Sequence, residues 1–525
     1  MKFLEGQTVG IDLGTSYSSM ATLDSNGNPQ VVENSQGRPM TPSIILLSDS
    51  GKVIVGPNPE LVAATPPEQV VIAIKREMGN REFSIEHEGR KLTPELLSSM
   101  ILTKLKQEAE QRVGPITNAV ITVPYYFNDP KRHATRHAGR IAGLNVIDVL
   151  NEPTAATLAY AWQKNELGNP DALRREKTVL VYDLGGGTFD VTLVRYTATD
   201  FNVLCTDGDT MLGGLDWTAR IADFVAEQFQ SQHGLDPRTE PVAHQKLLLE
   251  AESAKRELTL WPQATVNFSH RGRQIECTLD RAKFESISLD LLQRTTDTTE
   301  FVLDQGKITG RELDEVLLVG GSSSMPMVTT MLERALGKKV SKDLNPHVAV
   351  AQGAAIHAAI LEAKLTGGQG NVGQAVLKRL KSITTTDVNS HSLGLEVTDR
   401  FDGNRKHNHI MIPRNSRLPV QAKQRFVTTT NRPRALHVRL LEGETEDVSG
   451  CTFIGDFRLT ALPENLPLGS PVELTYGFDE RGRIRVTMKE LTGNNHVQLE
   501  IDWSHGMDEQ SIDGLKLLAS QYKVQ

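Results

Sequence analysis

The sequence predicts an α/β protein whose helices cover mixed sheets, followed by an antiparallel β domain. Three observations carry this. Up to about residue 376, apolar strand-like runs alternate with helical ones. Past the glycine-rich stretch "TGGQGNVGQ" the runs become short, alternate apolar with polar, and are separated by Gly, Asn, Asp and Pro. Two apolar runs far apart, "TVGIDLGTS" and "TVLVYDLGGGTFD", end alike in Asp-Leu-Gly, with a hydroxyl residue directly after the glycine in the first and after three glycines in the second. The 525 residues exceed the roughly 250–300 at which one core stops growing, so more than one domain is expected.

Taken in order, the first strand begins at Thr8 and ends at Asp12, an aspartate that a buried strand would not otherwise carry. "NAVITVPYYF" reads as a strand and "DPKRHATRHAGRIAGL" as the helix after it. The second Asp-terminated strand ends at Asp183; "EVLLVGGSSS" and "MPMVTTMLERALG" give a further strand and helix. "NPHVAVAQGAAIHAAILEAKL" is a helix, and "ALHVRLLEGE" and "RIRVTMKEL" are strands of the β domain. "DEQSIDGLKLLASQYKVQ" reads as one short helix. With 38% hydrophobic and 23% charged residues, a net charge of −8 and no long apolar span, the chain is expected to be a soluble cytoplasmic protein without a membrane segment. Cys205, Cys277 and Cys451 lack paired spacing, which argues against a disulfide framework and against a zinc site.

The two Asp-Leu-Gly turns carry the chemistry. At "DLGTS" the amides of Gly14, Thr15 and Ser16 can approach an anion, because glycine removes the side-chain obstacle and the hydroxyls add donors. "DLGGGTFD" offers the same with Gly185, Gly186, Gly187 and Thr188. Carboxylates beside phosphates need a cation between them, and Mg²⁺ suits Asp12, Asp183 and Asp190. A nucleotide held between two such turns follows. No G-x-x-x-x-G-K-[ST] string is present, which disfavours a P-loop enzyme.

With "AIKREMG", "VPYYFNDPKRHAT", "LNEPTAATLAY", "AESAKRELT" and "VGGSSSMPMV" added, the chain resembles the seventy-kilodalton heat-shock (DnaK-type) chaperone family as a divergent member. The resemblance implies a two-lobed actin-like ATPase domain with duplicated mixed sheets over residues 1–376. A linker over 377–388 and a β-sandwich peptide-binding domain over 389–503 would follow, then a short helix over 504–525 with no helical lid. It implies ATP/ADP with Mg²⁺ as ligands, the metal near Asp12, Asp183 and Asp190. Lys75 and Glu152 would orient the attacking water, with Asp12, Asp183 and Thr188 completing the catalytic set. Thr15, Ser16, Gly186, Gly187 and Thr188 would hold phosphates, and Gly14, Tyr17, Gly185, Gly213 and Gly214 would also bind the nucleotide. Glu252, Lys255 and Thr259, on one helical face, would take the nucleoside with Gly320, Gly321, Ser322 and Ser324. Phe401, Phe426 and Leu436 would touch peptide, and Pro124, Arg132 and Asp387 would link the domains.

The departures are as informative. Ser324 and His347 stand where the family has an arginine packed on adenine and an aspartate. Asp148 stands where a basic residue helps dock J-domain co-chaperones, so any J-domain partner or nucleotide exchange factor is expected to be of non-standard type. Threonines replace the leucines of the linker, which should weaken domain coupling. From Arg400 to Arg439 ten Lys or Arg face one acid, a net of +9; this is either a solvated rim or a surface for acidic clients. With few aromatic platforms, nucleic acid is not expected. The expected function is an ATP-dependent chaperone for unfolded or extended polypeptides. The alternatives are a nucleotide-dependent binding or scaffold protein with weak hydrolysis, and a small-molecule kinase on the same ATPase fold.

Overall fold

Described here is a computed structural model covering residues 3–48, 51–366, 372–399, 405–460, 462–478, 484–492, 501–502 and 507–525. Two mixed sheets of like design form two lobes. In lobe I the strand order is Asn145–Asn151, Ile116–Val123, Gln7–Asp12, Tyr17–Leu23, Pro29–Val31; in lobe II it is Glu315–Val319, Lys177–Leu184, Phe189–Tyr196, Asp200–Asp209, Thr384–Thr386. Each Asp-bearing strand pairs antiparallel with the strand after its glycine turn and parallel with a later strand. The duplication read from two turns is thus a duplication of sheets. Val9, Ile11, Val179, Leu180, Val181 and Tyr182 are all fully buried, as strands covered on both faces require.

The helix Ala349–Leu365 packs against the strand Gln7–Asp12 and the helix Glu152–Gln163, which in turn contacts the lobe II strands Lys177–Leu184 and Phe189–Tyr196, tying the lobes together. Its small residues permit close approach: a Cβ on Gly353 would lie 1.8 Å from the Ala155 carbonyl oxygen, and one on Gly10 would lie 2.1 Å from the Ala355 nitrogen. Among the described residues no helix is long and apolar enough to cross a membrane. The three cysteines are free, with Cys205 and Cys277 buried.

The β domain is a sandwich of two antiparallel sheets. One runs Lys406–Ile412, Leu393–Thr398, Leu436–Glu442, Thr452–Leu459, the other Val420–Val427, Pro471–Phe478, Ile484–Glu490, Ile501–Asp502. Leu393, Leu440, Ile454, Tyr476 and Val486 fill the space between them.

Two expectations about connections are corrected. Residues 377–383, expected to open a linker, pack into the core shared by the two lobes: the helix Gln374–Lys381 lies on the helix Ala349–Leu365 and buries Leu377 and Leu380, and Ile383 is fully buried beside them. The rest of the connector is also structured, for Thr384–Thr386 adds a parallel strand beside Asp200–Asn202. The expected final helix is Glu509–Ala519, but the chain continues into a strand, Lys523–Val524, paired with Lys52–Val53 of lobe I.

Candidate functional site

The sequence places an aspartate and a glycine turn at the end of the equivalent strand in each lobe, so folding brings the two turns face to face. Contact between them explains the glycines. A Cβ on Gly186 would lie 2.0 Å from Ser16 Oγ, and one on Gly187 would lie 2.5 Å from Thr15 Cγ2. Gly213 is equally confined, 2.5 Å from the Gly187 nitrogen, and Gly214 would meet Ser322 Oγ at 2.2 Å. Gly320 adopts φ +79 and faces the Leu184 carbonyl oxygen, where only glycine avoids both strain and collision.

Between the turns lies a cleft of about 550 Å³, in the range of small-molecule sites. Asp12, Gly14, Thr15, Ser16, Tyr17, Lys75, Glu152, Asp183, Gly185, Gly186 and Thr188 line one end. Glu252, Lys255, Thr259, Gly320, Gly321, Ser322 and Ser324 line the other. Residues from six separate motifs therefore meet in one space. At the base Lys75 Nζ donates to Glu152 Oε1 at 2.6 Å. Burial lowers the affinity of the Lys75 amine for its proton, but Glu152, Asp12 and Asp183 more than reverse this and hold it above its ordinary value. Burial, then the Glu152 charge, pushes the Asp12 carboxyl up to about 7, and the same two causes push Asp183 well above the carboxylate range.

Asp183 Oδ2 is buried without a hydrogen-bond partner. That orphaned oxygen, with two carboxyls raised by burial, is the signature of an acid pair short of positive charge. Two carboxylates suit Mg²⁺, which takes one or two protein ligands and completes its shell with water and phosphate oxygens. Among the described residues no group of three His, Cys, Asp or Glu is disposed to hold a metal. Asp190, expected beside the metal with Asp12 and Asp183, lies close enough for its charge to act on Asp183. It is outside the cleft lining, and its Oδ2 and Oδ1 accept from the amides of Tyr125 and Tyr126 at 3.0 and 3.2 Å. Those amides satisfy the carboxylate and leave it a fastener between lobes, although burial and the Glu152 charge raise it to about 8.

On the nucleoside side Lys255 Nζ donates to Glu252 Oε2, the Gly214 carbonyl and Thr218 Oγ1 at 2.7, 2.8 and 2.9 Å. Its expected companion Thr259 bonds back to the Lys255 carbonyl. Arg256, not singled out in the sequence, is central: it donates to Glu252 Oε1 and to Tyr17 Oη, and its guanidinium lies 5.2 Å from the Tyr17 ring centre. Arg76 was also missed; it donates to the Gly187 carbonyl at 2.9 Å and to Asp216 Oδ2 at 2.7 Å, fixing the glycine turn. Both arginines adjoin a residue that was recognised, Lys75 or Lys255, and adjacency alone carries no geometric signal.

The interdomain residues form a relay. Pro124 is buried at the strand end that leads into Tyr125. Arg132 donates to Asn151 Oδ1, Asn151 and Thr154 donate to Asp387, and Tyr125 Oη bonds both the amide and the carbonyl of Val388. The sandwich sits directly on this face. The Asp129 amide donates to Glu442 Oε2, His391 packs its ring on Tyr126 at 4.2 Å, Arg414 pairs with Asp207, and Arg417 donates to Asn202. Asp148 is compensated internally by His357 Nε2 at 2.9 Å.

Of the peptide-site residues, Phe426 is half-buried with His409 edge-on at 5.7 Å, and Leu436 is half-buried against the sandwich core opposite Leu459. Phe401 lies outside the described residues. The basic count is offset by acids beyond the counted window: Lys406 and Arg439 pair with Glu396, Arg405 with Glu446, and Lys423 and Arg425 with Glu473.

Two sheets of like order, each delivering an Asp-Gly turn to a shared cleft, with a β-sandwich joined to them, define the class: an actin-like ATPase fold carrying a β-sandwich domain. The family model described as Hsp70 protein matches residues 8–525, so the chain belongs to the Hsp70 family. Among its relatives, the chaperone protein DnaK of Halobacterium salinarum is 36% identical over 97% of this chain and 77% of its own length. The chaperone protein DnaK of Thermotoga neapolitana is 36% identical over 98% of this chain and 84% of its own.

Proposed function

We propose that this Hsp70-family chain is an ATP-dependent chaperone that hydrolyses ATP slowly in the cleft and binds extended polypeptide on the sandwich. The observation that carries hydrolysis is the buried Lys75–Glu152 pair at 2.6 Å, set at the cleft base where Asp12 and Asp183 converge. Phosphoryl transfer to water asks mainly for positioning and charge neutralisation. Glu152 orients a water while Lys75 neutralises charge developing on the transferred group, and the amides and hydroxyls of Gly14, Thr15, Ser16, Gly186 and Thr188 grip phosphate oxygens. Mg²⁺, when bound by Asp12 and Asp183, neutralises phosphate charge. At the other end Glu252, Lys255 and Thr259 face Gly320 and Gly321 across a slot suited to a nucleoside.

Polypeptide binding rests on the family and on the half-buried apolar residues Phe426 and Leu436. The relay from Asn151 and Thr154 through Asp387 to the sandwich gives nucleotide and peptide a physical route to influence each other. J-domain proteins and exchange factors are proposed partners, with the Asp148–His357 pair altering the surface a J-domain would meet. The test is ATP turnover in Mg²⁺ and in excess chelator, with and without an unfolded polypeptide. Slow, Mg²⁺-dependent turnover that polypeptide changes supports the reading. A cleft that binds ATP without turning it over leaves a nucleotide-gated binder instead.

A further inference from the structure

The segment after the sandwich returns to the opposite lobe from the linker. The helix Glu509–Ala519 lies on the lobe I helices Pro94–Val113 and Asp129–Ile141. Ile512 is fully buried in the lobe I core, with Met507, Leu515, Leu518, Ala519, Tyr522 and Val524 packed beside it. Lys523–Val524 then extends the sheet of Lys52–Val55. The Lys523 amide donates to the Gly51 carbonyl, the Gln525 amide to the Val53 carbonyl and the Val55 amide to the Gln525 carbonyl, at 2.8, 2.8 and 3.0 Å. Arg140 pairs with Glu509, and the Tyr522 ring lies 6.2 Å from His87 and 5.8 Å from the Arg90 guanidinium. Lobe I treats these residues as its own core and its own sheet.

Chain length turns this packing into a constraint. Ile501–Asp502 is paired with Arg485–Val486 of the sandwich, and Met507 is already seated on lobe I. Only five Cα–Cα steps separate Asp502 from Met507, a reach of about 18 Å at full extension. At its other end the sandwich follows directly from Thr384–Thr386, which is bonded into the lobe II sheet. The two attachments are on different lobes.

We propose that residues 507–525 form a strap that holds the sandwich within reach of lobe I whatever nucleotide occupies the cleft, so that nucleotide shifts the sandwich on its seat without releasing it. The cleft lies between the two lobes to which the sandwich is tied, so movement of either lobe is transmitted to it. The nucleotide arms of the test rest on the ATP-binding reading; the strap itself does not.

Two exposed positions, Glu60 of lobe I and Glu464 of the sandwich, are replaced by cysteine in a Cys451→Ser chain and spin-labelled. Distances are measured with ATP, with ADP and with neither. The same labels go into a chain with twenty Gly/Ser residues inserted between positions 506 and 507, which lengthens the tether and leaves the strap's own contacts intact. In the original chain Asp502 cannot leave a radius of about 18 Å around Met507, so the distributions under the three conditions stay narrower and shorter than those open to the lengthened chain. The lengthened chain gives a broader distribution reaching longer distances in at least one of them. Amide exchange at Lys523, Gln525 and Val55 stays slow in both. Coincident distributions in the two chains, or rapid exchange of those amides with ADP, overturns the strap. Calorimetry reads nucleotide binding separately: if none binds, the ATPase reading fails and the two chains compared without nucleotide still decide the strap.

Discussion

Lys75 Nζ and Glu152 Oε1 stand 2.6 Å apart in a pair whose side chains are 6% and 8% exposed, at the point where the carboxyls of Asp12 and Asp183 approach. Lys75→Ala would leave three acids around a pocket without their cation. Removing one partner of a buried pair costs about 3–5 kcal/mol, so the melting temperature falls, and turnover drops roughly 100-fold or more. Nucleotide affinity falls far less, since most of the grip lies in the turns and the nucleoside slot. Single-turnover hydrolysis beside calorimetric ADP binding separates the two; equal losses in both would remove the catalytic role.

Arg256 reaches over the cleft from lobe II to Tyr17 of lobe I, donating to its hydroxyl at 2.9 Å while anchored on Glu252. Tyr17→Phe keeps the ring and deletes that hydrogen bond, worth about 0.5–1.5 kcal/mol net. ADP should leave roughly 2- to 10-fold faster, and Arg256→Ala should have the larger effect. Stopped-flow displacement measures it, and an unchanged release rate in both variants would show that the bridge does not gate the cleft.

The linker, expected to couple poorly because threonines replace leucines, is held by backbone. Thr384–Thr386 is a parallel edge strand, the Thr384 amide donating to the Thr199 carbonyl at 2.7 Å and its hydroxyl to Asp200 Oδ1. β-Branched residues suit that role. Thr384→Pro removes the amide donor and should expose the linker to protease, while Thr384→Val should leave it protected. Equal cleavage of the two variants would contradict the strand account.

How far the sequence could be read follows from this contrast. Strand-ending aspartates, glycine turns and the Glu252/Lys255/Thr259 face are local patterns, and local patterns survive into the structure. The second oxygen partner of Asp190, the acids that neutralise Lys406 or Lys423, and the seat of Ile512 in lobe I are matters of which distant strands meet. Charge counted along one stretch missed Glu396 and Glu473 because antiparallel pairing brings them from outside it. Arg76 and Arg256 were invisible for the same reason: their partners are 111 and 239 residues away.

At the nucleoside end Ser324 and His347 share the cleft wall, and burial followed by the Arg256 charge holds the His347 imidazole below its ordinary value, so it is neutral near pH 7. Ser324→Arg would add a guanidinium with a base face to stack on, worth about 0.5–2 kcal/mol. ADP affinity should rise roughly 2- to 30-fold, with little change in pyrophosphate affinity. Calorimetry with both ligands decides it, and a loss of ADP affinity would place Ser324 away from the base.

The seat of the sandwich should respond to pH through Glu442. Its Oε2 accepts from the Asp129 amide at 3.2 Å, and Asp129 Oδ2 and Tyr476 Oη are buried nearby without partners. Burial, then the Asp129 charge and that of Glu444, pushes the Glu442 carboxyl up to about 8 against the opposing Arg132. Undocked and solvated, the same carboxyl titrates near its ordinary value of 4.5. The docked state therefore binds the proton more tightly. Glu442 favours docking fully below about pH 4.5, and that contribution is lost as pH rises through the window up to about 8, by at most ~1.4 kcal/mol per pH unit. Amide exchange at Asp129 and Val388 should be slower at pH 6 than at pH 8.5 after correction for intrinsic rates. Glu442→Gln, neutral throughout, should flatten the difference. Tighter docking at the higher pH, or an unchanged profile in Glu442→Gln, would mean that the interface keeps its carboxylate ionised and draws its pH response from elsewhere.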